Sequence, residues 1–486
     1  MSNYASVKTP HRDYVQNAEI WQRIRHVVDG KCKRYLRKVG DGEITPEAKA
    51  ARQKEYEDGA IFYNFTKRTL AGMIGMVMRK EPEVALPPAL DYLLTNCDGA
   101  GLGLVQQAQD ALREVTEIGR AGLLVDAPST AAATMAEQNA GKLNPRILLY
   151  TAENIINWRK TQFGSTQVVT MVVLRELYEY QNSVNEFEWL VGEQYRVLEI
   201  VDGMYRQRVF KFDASGANYG NEEVIEPKVG GKPIDYIPFT FVGSDNNDDT
   251  IDAPPMQTLA DVNIGHYQNS ADVEDSAFYM QGTLFISPGS NMTSVVFQGL
   301  YPDGVRMGSR FGYNLGEGGT AQIVQPNANQ LSKELMADKE QQAIMVGAQL
   351  ISPSTQITAE SARLQRGADT SILANIAMNV SSAYEKAIEW CAKFMAASGE
   401  VTFELNTEFF LQQMTAQDRA AWMVDINAGL LPARSYYAAL RAAGVTNWSD
   451  EEIEEEVERK PTAPAPALST DVSGEIPPAP EDEAAQ

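Results

Sequence analysis

The chain has 486 residues, 44% of them hydrophobic, and a formal net charge of −23. That length is too great for one simple core and predicts roughly two to four compact units. No apolar run approaches the ~20 residues of a bilayer span, and the acidic balance excludes tight phosphate binding as a global property, because that binding is driven by Lys and Arg releasing counterions.

The charge is unevenly placed. Residues 451–486 hold eleven acids against Arg459 and Lys460, so −9 of the −23 sits there. The opposite end is basic, with Arg23, Arg25, Lys31, Lys33, Arg34, Arg37 and Lys38. Such a face either touches nucleic acid or, more plainly, pairs with neighbouring acids. The start, MSNYASVKTPHRDY, has no apolar signal core, and a cytosolic start is expected. Cys32, Cys97 and Cys391 form no CxxC pair or disulfide framework and read as reduced, buried thiols. His11, His26 and His266 are too scattered for a His-based metal site or a triad.

In chain order, residues 13–37 predict a helix, with Ile20, Trp21, Ile24, Val27 and Val28 as its apolar stripe. Thr45 and Pro46 suit the cap and first turn of a second helix. Residues 64–80 predict a third, in which Gly72 and Gly75 allow another backbone to approach and which Pro82 ends. Residues 86–95, 103–119 and 131–139 predict further helices, and 122–126 and 146–150 short strands. From Gln167 the period becomes two. Residues 168–180, 186–191, 195–201 and 206–212 read as an antiparallel sheet with Gly, Asn and Asp at its turns, closed by 236–242. Residues 243–252 are a polar loop.

Pro254 and Pro255 open a helix to about Met280. Residues 282–324 carry nine glycines, which predicts short strands. Residues 330–350 read as helix and 351–357 as a Pro-containing loop. Residues 358–397 contain no proline and predict one helix of roughly 60 Å at the usual rise. The remainder predicts small capped helices stopped at Gly429 and Gly444, and a capping box at Ser449–Glu452. A Pro-, Ala- and acid-rich disordered tail follows from Pro461.

Motif by motif, the chemistry is sparse. Asp245, Asp248, Asp249 and Asp252 lack the spacing of a calcium loop, and turn chemistry alone favours them there. Gly230-Gly231-Lys232-Pro233 lacks Walker spacing and reads as a hairpin turn. There is no GxSxG elbow. Glu360, Arg363, Arg366 and Asp369 make one charged ridge suited to inter-helix ion pairs, with Ala359, Ala362 and Ala368 thinning other faces.

Taken in order, several segments resemble the portal proteins of tailed bacteriophages. They are Arg34-Tyr35-Leu36, Phe62-Tyr63-Asn64, Arg68 to Gly75, Arg79 to Pro82, Gly122 to Asp126, Tyr150 to Arg159, Ile237-Pro238-Phe239 and Thr358 to Arg363. The similarity runs over about residues 12–444 and rests on their order and on a helix–insert–helix–loop–helix layout.

The resemblance implies an α+β chain. Its wing would be residues 1–251, helical first and antiparallel β from about 165. The stem helices would be 252–280 and 330–349, around a small β clip at 281–329. A tunnel loop at 350–357, a long kinked helix with return to the wing at 358–414, helical crown 415–460 and disordered acidic tail 461–486 complete it. It implies a homo-oligomeric ring, a dodecamer, at one capsid vertex, through which double-stranded DNA passes without sequence reading. Ile351, Ser352, Pro353, Ser354, Thr355 and Gln356 would line the tunnel. Tyr301, Asp303, Arg306, Arg310, Phe311 and Tyr313 would dock the terminase large subunit and then a head-completion adaptor. Glu360, Arg363, Arg366 and Asp369 would run between subunits. Major capsid and scaffolding proteins are the further partners, the location is the virion after assembly in the host cytoplasm, and no catalytic residue, metal, cofactor or membrane is implied. The rival expectations are another virion or scaffold protein without DNA passage, and a metal-dependent nuclease using Asp245 to Asp252.

Overall fold

The structure is a computed structural model. It describes residues 4–43, 45–127, 144–182, 184–217, 223–229, 232–279, 283–287, 289–302, 314–324, 330–351, 371–409, 416–442, 446, 448–449, 452–453 and 455. The chain divides into two compact units, residues 1–409 and 410–486. Helices and antiparallel sheets are mixed, the α+β class that the two hydrophobic periods predict.

The first unit begins with helices because its apolar residues recur at helical spacing. α1 (Arg12–Asp29) buries Trp21, Ile24, Val27 and Val28, the predicted stripe. His11 caps it by accepting from the Asp13 amide, and Gly30, at φ +76°, stops it. α2 (Pro46–Gly59) starts on the Thr45 cap, as expected. α3 (Phe65–Val77) buries Leu70, Met73, Ile74 and Val77. β1 (Glu83–Ala85) and a 3₁₀ turn (Pro88–Leu94) lead to α4 (Leu104–Ile118). The expected helix over 86–95 is therefore a 3₁₀ segment with Pro88 in its first turn.

β2 (Arg120–Asp126) and β3 (Arg146–Thr151) follow, then β4 (Ile155–Phe163), β5 (Thr166–Gln181), β6 (Trp189–Val201), β7 (Met204–Phe212) and β8 (Glu223–Ile225). β4 to β8 form one five-stranded antiparallel meander in chain order. The β6–β7 turn uses Asp202 and Gly203, both at positive φ, the backbone a tight hairpin demands. Two expectations are corrected here. Residues 186–191 and 195–201 are not separate strands, because β6 runs through Gly192. A Cβ there would lie 2.6 Å from the Phe212 carbonyl and 2.7 Å from the Tyr178 ring, so this glycine serves a close approach rather than a turn. Nor does 236–242 close this sheet. After the short hairpin β9 (Lys228–Val229) and β10 (Lys232–Pro233), β11 (Phe239–Gly243) pairs with β2 in a separate sheet of order β11-β2-β3. Gly122 makes that pairing possible, since the Phe239 ring occupies the place of its missing side chain. The two sheets share an apolar layer in which Leu124, Tyr150 and Phe241 meet Trp158, Val172, Leu198 and Tyr205.

α5 (Gln257–Tyr279) is the helix expected after Pro255. It is followed by β12 (Thr283–Ser287), α6 (Ser294–Leu300), β13 (Thr320–Val324) and α7 (Gln330–Ile351). α6 was expected as strand. Its Val295-Val296-Phe297 run has strand propensity, but Thr293 caps it by accepting from the Val296 amide.

α8 (Ile372–Met395) is the main core helix, burying Leu373, Ile376, Val380, Tyr384 and Ile388 against the helical core, where each large aliphatic residue contributes ~1.5–3 kcal/mol. It does not extend back through 358 as one uninterrupted helix. Ser371 is extended (φ −64°, ψ 153°), and its hydroxyl accepts from the Ala374 amide at 3.1 Å. Past α8, β14 (Thr402–Glu404) pairs with β1, a contact no local pattern signalled.

The second unit holds α9 (Ala416–Asn427), with Gly429 at φ +71° behind it, and α10 (Ala433–Ala442). Its predicted capping box is present: the Glu452 amide donates to Ser449 Oγ at 3.2 Å and the Ser449 amide to Glu452 Oε2 at 2.9 Å. The expected helix at 131–139, the stop at Gly444, Gly230-Gly231 and the tail from Pro461 lie outside the described residues.

If the Ser371 hydroxyl starts α8, Ser371→Ala lowers stability by about 1 kcal/mol and Ser371→Gly by only a few tenths, as capping replacements do. Urea unfolding monitored by Trp390 fluorescence reads the difference.

Candidate functional site

The candidate site is the helical hairpin α5/α7 with its insert, and the joint that fixes it to the sheets. The joint begins at Arg120 on β2. Its side chain is almost fully buried between Trp158 of β4 and Phe241 of β11, with Cζ 4.4 Å from each ring centroid. Among the described residues no carboxylate forms a direct ion pair with it. Nη1 donates to the backbone carbonyls of Thr250 (2.7 Å) and Asp249 (3.2 Å), while Nε and Nη2 have no partner among the described residues. Burial pushes this guanidinium down to about 10, partly offset by Asp249, Asp252 and Asp248. The arginine so clamps the loop that launches α5.

The same loop explains the four aspartates. Asp252 is buried and accepts from the Asp245 amide (2.8 Å), and burial raises its carboxyl above the usual range. Asp248 accepts from the Thr250 amide at 2.7 Å, and Asp249 pairs with Lys160. From α8, Asn375 donates to the carbonyls of Ser244 (2.8 Å) and Asp245 (3.0 Å), and Asn379 to Gly243 (2.9 Å). The carboxylates of Asp248, Asp249 and Asp252 thus shape and hold the loop, and Asp245 joins it through its backbone. Among the described residues, no three His, Cys, Asp or Glu side chains are grouped to hold a metal ion.

Past the joint, α5 and α7 run antiparallel. Thr283 pairs with Val324 where the insert leaves them, and His266 meets Glu340 (Nε2 to Oε1, 3.2 Å) midway along. α5 buries a polar row. Asn263 Oδ1 accepts from the Thr66 hydroxyl at 2.9 Å and its Nδ2 donates to the Tyr63 carbonyl at 2.8 Å. His266 and Asn269 are buried as well, with His266 Nδ1 and Asn269 Nδ2 unpartnered among the described residues. Ion pairs root α5 in the N-terminal helices: Arg23–Asp261 (3.3 Å), Arg37–Asp272 (2.5 Å) and Arg52–Asp275 (2.6 Å). Among the described residues, no helix is long and apolar enough to cross a membrane.

Most of the basic N-terminal face is therefore taken up within the chain, as the plainer expectation held. Lys33 pairs with Asp58 at 2.7 Å. Arg25 serves three carboxylates, Glu114, Glu117 and Glu153. Burial opposes its charge, but hydrogen bonds and charge from Glu153 and Glu114 outweigh that and raise it. One guanidinium cannot neutralise three acids. Glu153 is held below the ordinary carboxylate range by Arg25 despite its burial, whereas burial leaves Glu114 and Glu117 raised. Cys32, Cys97 and Cys391 are free and buried, as expected, and burial pushes Cys32 and Cys97 up to about 12.

Of the residues singled out from sequence, Tyr301 follows α6, meets the Phe297 ring in a tilted contact with centroids 5.0 Å apart and accepts from the Asn314 amide at 2.7 Å. Ile351 is the last residue of α7. Asp303, Arg306, Arg310, Phe311, Tyr313, Ser352, Pro353, Ser354, Thr355, Gln356, Glu360, Arg363, Arg366 and Asp369 lie outside the described residues. The sequence reading missed Arg120, Asn263, Asn375 and Asn379. An arginine within an apolar strand and asparagines within helices were the available signals.

A family described as "Domain of unknown function (DUF4055)" matches residues 255–395, from just before α5 to the end of α8. No curated protein matches. Among solved structures, the chain is similar to one in "Virion of native gene transfer agent (GTA) particle". That match has 15% identity and a TM-score of 0.36, and covers 81% of this chain and 89% of the other. It is also similar to one in "Neck of empty GTA particle computed with C6 symmetry", at 14% identity and a TM-score of 0.36 over 81% and 90% of the two chains.

Three variants test this geometry. Arg120→Ala removes two hydrogen bonds and both ring contacts and lowers stability by about 3 kcal/mol, with Arg120→Lys intermediate because it keeps a charge but not the planar stack; urea titration measures both. Glu117 has a raised folded-state pKa, so its contribution to stability is present at low pH and lost as pH rises through that pKa. Glu117→Gln removes the loss, so as pH rises from the ordinary carboxylate range toward neutral the stability difference moves in favour of the variant, as urea titrations at a series of pH values would read.

Proposed function

We propose that this chain is the subunit of a phage-type portal, a ring of about twelve copies at one capsid vertex that passes double-stranded DNA. The observation that carries the reading is the antiparallel pair α5/α7, with a small strand pair at its far end and a clamped joint at its root. A helical pair anchored at one end and tipped by a separate small element suits the wall of a shaft and its docking tip. The ordered sequence resemblance over residues 12–444 supports it independently.

In this reading α5 and α7 are stem helices, residues 281–329 the clip, and 350–357 the tunnel loop. Tyr301, Asp303, Arg306, Arg310, Phe311 and Tyr313 meet the terminase and later the adaptor, and Glu360, Arg363, Arg366 and Asp369 run between subunits. The role is structural, not catalytic. The electrostatics fit passage rather than grip. DNA carries one charge per ~1.7 Å of axis, so a basic wall would retain it, while an acidic wall with polar tips such as Ser352, Ser354 and Gln356 lets it slide. The nuclease reading has little support, because Asp245, Asp248, Asp249 and Asp252 are engaged in loop structure and ion pairing.

Mass photometry with negative-stain imaging of the purified protein should give rings near twelve multiples of 53.5 kDa with a central hole. A compact dimer or tetramer without a channel, in the presence of capsid and scaffolding proteins, counts against the proposal. Deleting residues 352–356 should leave rings intact but reduce DNA-filled heads at least tenfold, read by quantifying packaged DNA.

A further inference from the structure

The five-stranded meander carries an arm, one face of which nothing among the described residues covers. β4 pairs with β5 only as far as Leu174, and β7 with β6 only as far as Glu193. Beyond those points β5 and β6 continue as a two-stranded ribbon, paired out to Gln181 opposite Trp189. Such a ribbon is marginal in water unless another surface packs on it. One face is supported: Tyr178 donates to the Phe212 carbonyl at 3.1 Å and Tyr180 accepts from the Ala214 amide at 3.0 Å. The other face presents Leu177, Trp189 and Val191, which are 69%, 63% and 49% exposed, and Phe187 at the tip is 86% exposed. The register places those three strand residues on the same side. The ribbon is also uniformly acidic, with five glutamates and no base over residues 176–195.

A matching surface lies on α3. Its exposed side is Ala71, Gly72 and Gly75, and a Cβ built at either glycine meets nothing within 4 Å. The glycines therefore do not serve packing within the chain. Lys67 and Arg68 flank this flat strip at one end, and Arg79 and Lys80 lie past the other. In a chain of net charge −23, these four bases have no carboxylate partner among the described residues, unlike Arg23, Lys33, Arg37 and Arg52 of the N-terminal helices.

We propose that the Leu177–Val191 arm of one copy docks on the α3 strip of the next. The bare aromatic and aliphatic face would lie over Ala71, Gly72 and Gly75, and Glu179, Glu186 and Glu188 would meet the four bases. The two patches differ, so the contact is head-to-tail, the type that closes into rings when its rotation allows. The inference rests on the ring reading above, for which it names one subunit contact.

The test is a photo-crosslinking amino acid at Trp189 in the full chain, with adducts mapped by mass spectrometry. The expected product is an intermolecular adduct to residues 67–80. Alongside it, Glu186→Arg with Glu188→Arg should lower the assembled fraction at least tenfold, as should Arg68→Glu with Arg79→Glu, and combining the two pairs should restore it. Gly72→Trp, which meets no neighbour within the chain, should block assembly without lowering the melting temperature of the monomer. Rings whose adducts map elsewhere overturn the contact and leave the ring reading intact. Adducts on 67–80 in dimers or open chains that never close uphold the contact and count against the ring. Charge reversal on α3 that weakens binding of double-stranded DNA and leaves assembly unchanged also overturns the contact, and assigns the strip to DNA.

Discussion

The first unit depends on a buried guanidinium that is held by carbonyls and rings and makes no direct ion pair among the described residues. Arg120 lies between Trp158 of the five-stranded sheet and Phe241 of the three-stranded sheet, and its hydrogen bonds go to the loop that starts α5. Removing a charge from water costs several kcal/mol even after relaxation. Here the offset comes from two π faces, two carbonyls and the nearby charge of Asp249, Asp252 and Asp248 rather than from a direct ion pair. An ion pair would satisfy the arginine locally. Carbonyl acceptors instead couple it to the path of residues 249–250, so both sheets and the root of the hairpin are fixed by one side chain. Gly119 supports the arrangement at φ +83°, where an added Cβ would lie 3.2 Å from the Ala253 carbonyl.

Charge is distributed by the same logic. The N-terminal bases are spent on internal acids: Arg23, Arg37 and Arg52 hold α5, and Arg25 gathers Glu114, Glu117 and Glu153. Against that pattern the four bases along α3, which have no carboxylate partner among the described residues, stand out as a group. Surface pairs contribute little stability individually, so the half-exposed Arg37–Asp272 pair serves to place α5 more than to strengthen the fold.

The hairpin has an interface unlike the core. α8 packs through aliphatic residues, whereas α5 turns Asn263, His266 and Asn269 inward. Polar interfaces specify alignment, because a shifted helix would strand buried donors. Asn263 shows this directly by bonding both Thr66 and the Tyr63 carbonyl, which sets α5 against the start of α3.

Local chemistry made much of the fold legible from sequence. The α1 stripe, the Thr45 cap, the Asp202–Gly203 turn, the two hairpin helices and the Ser449–Glu452 box each depend on residues within a few positions of one another. Tertiary structure decided what depends on distant partners. Gly192 lies inside a strand because the Tyr178 ring and the Phe212 carbonyl fill the space beside it, and Gly122 because the Phe239 ring does. β11 joined β2 rather than the meander, and β14 met β1, because pairing between remote strands is set by burial and not by either segment alone. Ser371 reads locally as one more polar residue in a helical run, yet it caps a new helix. By itself the sequence determined the elements, their order and the charge they carry. Which arginine is buried, which acids answer the bases and which apolar face stays bare were decided by packing, since they depend on groups from tens to more than two hundred residues apart that only the folded chain brings into contact.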